Sequence, residues 1–132
     1  VPLVQAKLSD HGEFLPFKTT QDSAPLAFHQ EWIQRKTGTE SLVLMPVHGH
    51  GMSPLVADGD LVLIDQGQTD IISGRIYALG IETSVLIRRI ERYPGRLLLI
   101  GSNPEYSSME VCIDDPSVCL LGSVIWVCRE LF

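Results

Sequence analysis

From Ser41 onward the chain alternates short runs of branched apolar residues with polar turn segments. The apolar runs read LVLMPV, LVLID, GRIYALG, SVLIRRIE, RLLLI, MEVCI and VCLLGSVIWVCREL. The segments between them are rich in Gly, Asp, Asn and Pro, which supply the backbone conformations that tight turns require. Seven or more short strands with little helix predict a mainly β domain, built as a folded-over sheet or partial barrel.

The first forty residues follow a different pattern. An apolar extended start gives way to the polar stretch SDHGEFLPFKTTQDSAP, so residues 1–25 read as an arm that is mostly loop. In LAFHQEWIQRKTG the apolar residues recur at helical spacing, and Gly38 follows them as a stop. This pattern predicts one short helix near residues 26–37.

Composition indicates one globular domain. The chain has 132 residues, of which 45% are hydrophobic and 20% charged, so a single core can form over residues 1–132, with the β core at 41–132. No apolar run approaches the roughly 18 to 20 residues that cross a bilayer, and the start lacks the plan of a signal peptide. We therefore expect no membrane partner and a cytoplasmic location.

Charge and cysteine content exclude two classes of function. Sixteen acidic residues against ten basic ones give a net charge of −6, which argues against direct binding of nucleic acid by this chain. The three cysteines lie in apolar, strand-like sequence, which predicts buried free thiols instead of a disulfide framework or a zinc site.

The segment VHGHGMSPLVADGDLVLID, residues 47–65, concentrates the candidate chemistry. His48 and His50 alternate on extended chain and would point the same way, as metal ligands on a β-barrel do. A metal site needs a third ligand, and no histidine follows His50. Asp58 and Asp60 flank a glycine in a tight turn, where carboxylates accept backbone N–H groups. A metal-binding β-barrel protein is therefore one alternative, although no metal or cofactor is expected.

The order of motifs resembles the C-terminal domain of LexA-type and lambdoid phage repressors, the self-cleaving S24 peptidase family. The likeness covers nearly the whole chain and rests on VPLVQAKLS, on the pattern Gly-x-Ser-Met-x-Pro followed by Asp-Gly-Asp, on the strand SVLIRRIE and on the turn NPEY. It implies the folded-over sheet of LexA and the signal peptidases.

In that family a serine hydroxyl attacks a peptide bond near the start of the same domain, and a buried lysine takes the serine's proton. The matched spacing sets Gly51 at the serine position and Arg88 at the lysine position. Glycine has no hydroxyl, and a guanidinium cannot be deprotonated usefully in a protein. The resemblance therefore implies a pseudo-peptidase, whose vestigial groove would contain His48, His50, Met52, Asp58 and Asp60.

The position of the cleavable bond has also changed. Relatives often carry Ser-Ala-Gly in the arm, and this chain has lost the Ala-Gly pair. The residues at that position are Ser9, Asp10, His11 and Gly12.

An active self-peptidase with Ser53 as its nucleophile is the other alternative, because GMS also occurs in LexA-like sequences. That register breaks the downstream spacing by two residues and puts Pro54 where a methionine should follow. It also leaves Arg88 as the base.

The resemblance implies a regulatory and self-association domain of a phage or prophage repressor. The partner would be a second copy, in a homodimer or higher homo-oligomer, through the apolar C-terminal strand with Val124, Trp126 and Cys128. Operator DNA would be bound only through an N-terminal helix-turn-helix domain that is absent from this chain. Release from DNA would need an antirepressor or a RecA-like inducer.

Overall fold

The computed structural model describes residues 1–16, 41–68 and 70–131, and its strands form one sheet of antiparallel pairs. The predicted helix at 26–37 lies outside the described residues, whereas the prediction of a mainly β fold is confirmed. Within the described residues the strands are β1 (Val4–Leu8), β2 (Phe14–Pro16), β3 (Leu42–Pro46), β4 (Leu61–Asp65), β5 (Ile76–Ile81), β6 (Ser84–Tyr93), β7 (Arg96–Ile100), β8 (Met109–Cys112) and β9 (Val118–Cys128).

The strand order is β2-β1-β6-β5-β9-β4-β3, and β7 and β8 extend the sheet from the second half of β6. The last strand of the chain is therefore central. Its first half pairs with β5 and its second half pairs with β4, with a register shift in each pairing.

A contact between distant strands closes the sheet into a partial barrel. Leu3, just before β1, forms a parallel bridge with Leu44 of β3, and the Leu44 N–H donates to the carbonyl oxygen of Pro2 at 2.9 Å. Because β1 and β3 stand near opposite ends of the strand order, this bridge requires the sheet to curl. The folded-over architecture expected from the sequence is confirmed.

Two apolar clusters hold the functional region in place. The larger one contains the interior side chains of β3, β4 and β6, including Met45, Ile64 and Ile87, and it also includes Met52 from the loop after β3. A second cluster packs β5 against β6 and β7 around Tyr77, which is 1% exposed. The loop after β3 and the residue after Ile87 are therefore anchored to the same core.

The predicted burial of the cysteines is wrong, although all three thiols are free. Cys112 and Cys119 are exposed and Cys128 is only half-buried. Cys112 ends β8, which among the described strands pairs only with β7, so the apolar sequence here belongs to a strand with little cover.

Candidate functional site

The loop between β3 and β4, residues 47–60, is braced by its own backbone and by Asp58. The Val47 N–H donates to the carbonyl oxygen of Asp60, and the Gly59 N–H donates to that of Val47, both at 2.8 Å. The Gly49 N–H donates to Asp58 Oδ1 at 2.8 Å. Gly59 has a φ of +90°, which its lack of a Cβ permits.

An ion pair between the buried carboxylate of Asp60 and the partly exposed guanidinium of Arg129 fastens this loop to the end of β9. The carboxylate is 2% exposed, and it accepts from Arg129 Nε at 3.0 Å and from Nη2 at 3.0 Å. Asp60 also accepts from the Ala57 N–H at 2.8 Å, and Arg129 Nη2 donates to the carbonyl oxygen of Pro54. The hydrogen bond from Arg129 lowers the pKa of Asp60 despite the opposing effect of burial.

Asp60→Asn is expected to lower the free energy of unfolding by about 1.5–3 kcal/mol at neutral pH, because it removes hydrogen bonds to a charged group. The pKa of Asp60 is depressed by folding, so the stabilisation is complete above about pH 4 and is lost as the pH falls through the folded-state pKa. Urea unfolding of both proteins at pH 7 and pH 3 should show the difference shrinking at the lower pH.

Asp58→Asn is the matched control for this prediction. The Asn Oδ1 can still accept from the Gly49 N–H, so its effect should be small at both pH values. An equal loss of stability for Asp60→Asn at pH 7 and pH 3 would contradict the role given to the ion pair.

A cleft of about 160 Å³ lies between this loop, β6 and Tyr106. Three of the predicted groove residues, His48, His50 and Met52, line it. Asp58 and Asp60 do not line it, because their carboxylates accept hydrogen bonds from backbone N–H groups within the loop.

Gly51 and Arg88 meet inside the cleft. A Cβ built on Gly51 would lie 2.5 to 2.6 Å from the Cζ and both Nη atoms of Arg88, so the guanidinium occupies the space of a side chain at position 51. Arg88 Nη1 donates to the carbonyl oxygen of Ile87 at 2.8 Å, and the Arg88 Cζ lies 5.9 Å from the centroid of the Tyr106 ring. Two positions 37 residues apart in sequence are thus brought into contact, as the resemblance implied.

The turn after β7 supports the Gly51 backbone from behind. Asn103 Nδ2 donates to the carbonyl oxygen of His50 at 2.9 Å, and the Asn103 N–H donates to that of Gly51 at 3.2 Å. A Cβ on Gly101 would overlap the same Gly51 carbonyl oxygen. The NPEY turn is one of the motifs of the resemblance, but no local pattern indicates a role for Asn103 or Gly101, because their partners lie about fifty residues away in sequence.

Neither Ser53 nor the altered cleavage position reaches the cleft. Ser53 does not line it, and its N–H donates to the carbonyl oxygen of His50 at 3.1 Å. Residues 9–12 form the turn between β1 and β2, where Ser9 Oγ accepts from the N–H of His11 and of Glu13. That turn borders a separate cleft with Glu82 and Cys119.

The proposed dimer residues do not share one face of β9. A register shift in the pairing with β4 leaves Ile125 as the extra residue, so Val124 opposes Ile64 and Trp126 opposes Leu63. Val124 packs against the larger core cluster, while Trp126 packs in a different cluster with Leu63. The bulge breaks the simple alternation that the sequence suggested.

The described ranges contain neither a cluster of metal ligands nor a membrane-spanning helix. No group of three His, Cys, Asp or Glu side chains there could hold a metal ion. No helix in that part of the chain is long and apolar enough to span a membrane.

Comparisons with known proteins agree with this geometry. The family model described as Peptidase S24-like matches residues 3–125. The repressor protein CI of Enterobacteria phage phi80 is 32% identical over 97 residues, which cover 70% of this chain and 40% of that protein. The LexA repressor of Bifidobacterium longum strain DJO10A is 29% identical over 99 residues, covering 74% of this chain and 39% of that repressor.

The LexA repressor of Vibrio cholerae strain O395 is 30% identical over 88 residues, covering 66% of this chain and 42% of that repressor. This chain therefore spans about two fifths of the length of the curated relatives it matches. Because the family model covers nearly the whole chain and the folded-over sheet accords with it, the chain belongs to the Peptidase S24-like family.

Proposed function

We propose that this domain joins copies of a phage-type or prophage transcriptional repressor in the cytoplasm, and that it does not cut its own arm. The observation that carries the proposal is the contact between Gly51 and the Arg88 guanidinium. Where the family has a serine hydroxyl beside a lysine amine, this chain has the Cα of Gly51 beside the guanidinium of Arg88, which stays positively charged.

Three features of this chain oppose self-cleavage. Gly51 offers no oxygen for attack, and Arg88 cannot accept a proton. The arm turn at residues 9–12 borders a different cleft. Loss of the nucleophile or the base alone can cost on the order of 10⁴ to 10⁶ in rate, so the combined loss leaves no measurable reaction.

The proposed regulatory role follows from the relatives, which are named as repressors and of which the matched segment covers only about two fifths. In the full protein, we propose, a helix-turn-helix head binds each half-site of an operator about one helical turn apart. Joining two heads raises the effective concentration for the second contact, which strengthens operator binding. Release without cleavage would then need an antirepressor protein or an inducer that acts on the assembled form.

The surface proposed for self-association lies at the end of β9. The first half of β9 pairs with β5 and the second half with β4, and the proposed contact uses the exposed side chains around the end of the strand. Val127, Leu55 and Leu131 are 41%, 45% and 80% exposed, and each lies within two residues in sequence of Arg129 or of Pro54, whose carbonyl oxygen accepts from Arg129. Exposed apolar side chains beside a charged pair suit the contact between two copies.

Val127→Arg is expected to weaken self-association at least about tenfold, because it places a charge in an apolar contact. Sedimentation velocity over a concentration series measures the change. Met109→Arg on β8 is the matched control, since Met109 is 45% exposed but lies outside the proposed contact, and it should sediment like the unaltered domain. A monomer at concentrations well above micromolar, or equal effects of the two variants, would refute the proposal.

A further inference from the structure

Arg88 carries a positive charge into the cleft without a carboxylate to balance it. Its Nη1 donates to the carbonyl oxygen of Ile87, and within the described ranges no Asp or Glu forms an ion pair with it. Burial lowers the pKa of the Arg88 guanidinium, because fewer water molecules solvate its charge. Most of its five N–H donors are therefore left for a ligand.

The backbone beside the guanidinium also has unused donors. Gly51 and Met52 are buried, and neither amide N–H has an acceptor in the part of the chain that the structure describes. Their carbonyl oxygens are occupied, that of Gly51 by the Asn103 N–H and that of Met52 by the Val56 N–H. Buried N–H groups without partners are rare, and a pair of them next to a cation favours an anionic ligand.

The remaining wall of the cleft is largely apolar, with Met45, Val47 and Ile87 among its residues. Its volume of about 160 Å³ is close to that of a cavity that accepts benzene, so it has room for a group of five or six carbons. We propose that the cleft beside Gly51 and Arg88 binds a carboxylate joined to a short apolar group, supplied by a free acid or by the terminal residue of a peptide.

Other ligand classes fit the cleft less well. A metal cation would be repelled by the guanidinium. A phosphate dianion would meet one cation only and would lose much of its hydration against apolar walls. A monocarboxylate matches the single positive charge, and its two oxygens suit a guanidinium geometrically.

A ligand in this cleft would provide a way to control a repressor that does not cut itself. The inference rests on the proposed function for this regulatory role, but not for the binding itself. The test is a titration of the ¹⁵N-labelled domain with sodium hexanoate, followed by two-dimensional NMR at constant ionic strength. Saturable shifts of the amide signals of Gly51 and Met52 are expected. 1-Hexanol, which has the chain without the charge, should bind at least about tenfold more weakly.

Substitutions then locate the site. Arg88→Met should weaken hexanoate binding at least about tenfold. Arg92→Met makes the same change of charge at an exposed position on the same strand, and it should stay within about twofold of the unaltered domain. Gly51→Ala should also weaken binding, since its Cβ would displace the guanidinium. Equal binding of hexanol and hexanoate, unchanged binding by Arg88→Met, or no saturable shift would overturn the proposal.

A last arm separates the two sources of the carboxylate. The tripeptide Ala-Ala-Leu is compared as the free acid and as the C-terminal amide. Tighter binding of the acid than of hexanoate assigns the cleft to a peptide terminus, and the reverse order assigns it to a free acid. Sedimentation and intact mass of the same samples test the proposed function separately, so a domain that associates and stays whole but ignores hexanoate refutes this inference alone.

Discussion

Gly51→Ser combined with Arg88→Lys is expected to produce a reactive serine, whereas neither substitution alone is. The single Gly51→Ser variant gains a hydroxyl, but the adjacent guanidinium cannot take its proton. The single Arg88→Lys variant gains an amine with no hydroxyl beside it. Reaction with a fluorophosphonate, read as a mass increase of the intact protein, should be faster in the double variant by on the order of 10³ or more.

The environment of position 88 supports this expectation. Burial already lowers the pKa of the Arg88 guanidinium, so the same surroundings would lower the pKa of a lysine amine there. A lysine starts from a much lower pKa than an arginine, and desolvation then leaves a useful neutral fraction at mildly alkaline pH. The shorter side chain also vacates the space that a serine Cβ requires beside the present guanidinium.

Two controls make the result decisive. Ser53→Ala in the double variant should leave labelling unchanged, because Ser53 does not line the cleft. The unaltered domain should remain unlabelled and keep its full mass at alkaline pH. If Ser53 of the unaltered domain were labelled, or if that domain were cut between Ser9 and Gly12, the protein would be an active peptidase.

The positions of the strands could be predicted because the local pattern decides them. The run LVLID becomes β4 with the same bounds, and RLLLI becomes β7. Turn residues such as Gly59 and Gly95 lie just before these runs and adopt the positive φ values that a tight turn requires. The local pattern of apolar and turn residues is therefore sufficient to predict most strands of the β core.

The strand order depends on contacts that no local pattern contains. β9 is apolar on both faces, and this pattern alone predicts that the strand contacts a partner protomer. In the structure the partners are β4 and β5 of the same chain, and the bulge at Ile125 sends neighbouring side chains to different clusters. A bulge adds one residue to one strand, so its effect on side-chain direction appears only when the pairing is known.

The pairing of Gly51 with Arg88 could be predicted from the sequence, but the packing of side chains around this pair could not. Matched spacing paired Gly51 with Arg88, and the structure places them in contact. No local pattern indicates that the guanidinium fills the space of a side chain at position 51, or that Asn103 holds the loop from behind. Both depend on through-space distances between segments that are remote along the chain.

Gly122→Ala is expected to destabilise the domain by about 3 kcal/mol or more, because a Cβ there has no room. It would overlap the backbone carbonyl of Asp65 and approach Ile64 Cγ2 at 2.8 Å. Gly122 lies in the central strand, opposite Ala78 and next to a register shift, so the strands on both sides restrict its movement. Overpacking against backbone forces a shift of the sheet, at the upper end of the usual cost. Urea unfolding measures the loss.

Gly80→Ala is the matched comparison, because Gly80 is also a strand glycine in close contact. Its Cβ would meet Leu8 Cδ1 at 2.6 Å and Cys119 Sγ at 2.8 Å, which are ends of side chains that can rotate away. The expected loss is about 1 kcal/mol, since a change of rotamer relieves the overlap. Equal losses for the two variants would show that the sheet around Gly122 yields as easily as a side chain does. In that case the central position of β9 would not fix the geometry of the loop that Arg129 fastens to it.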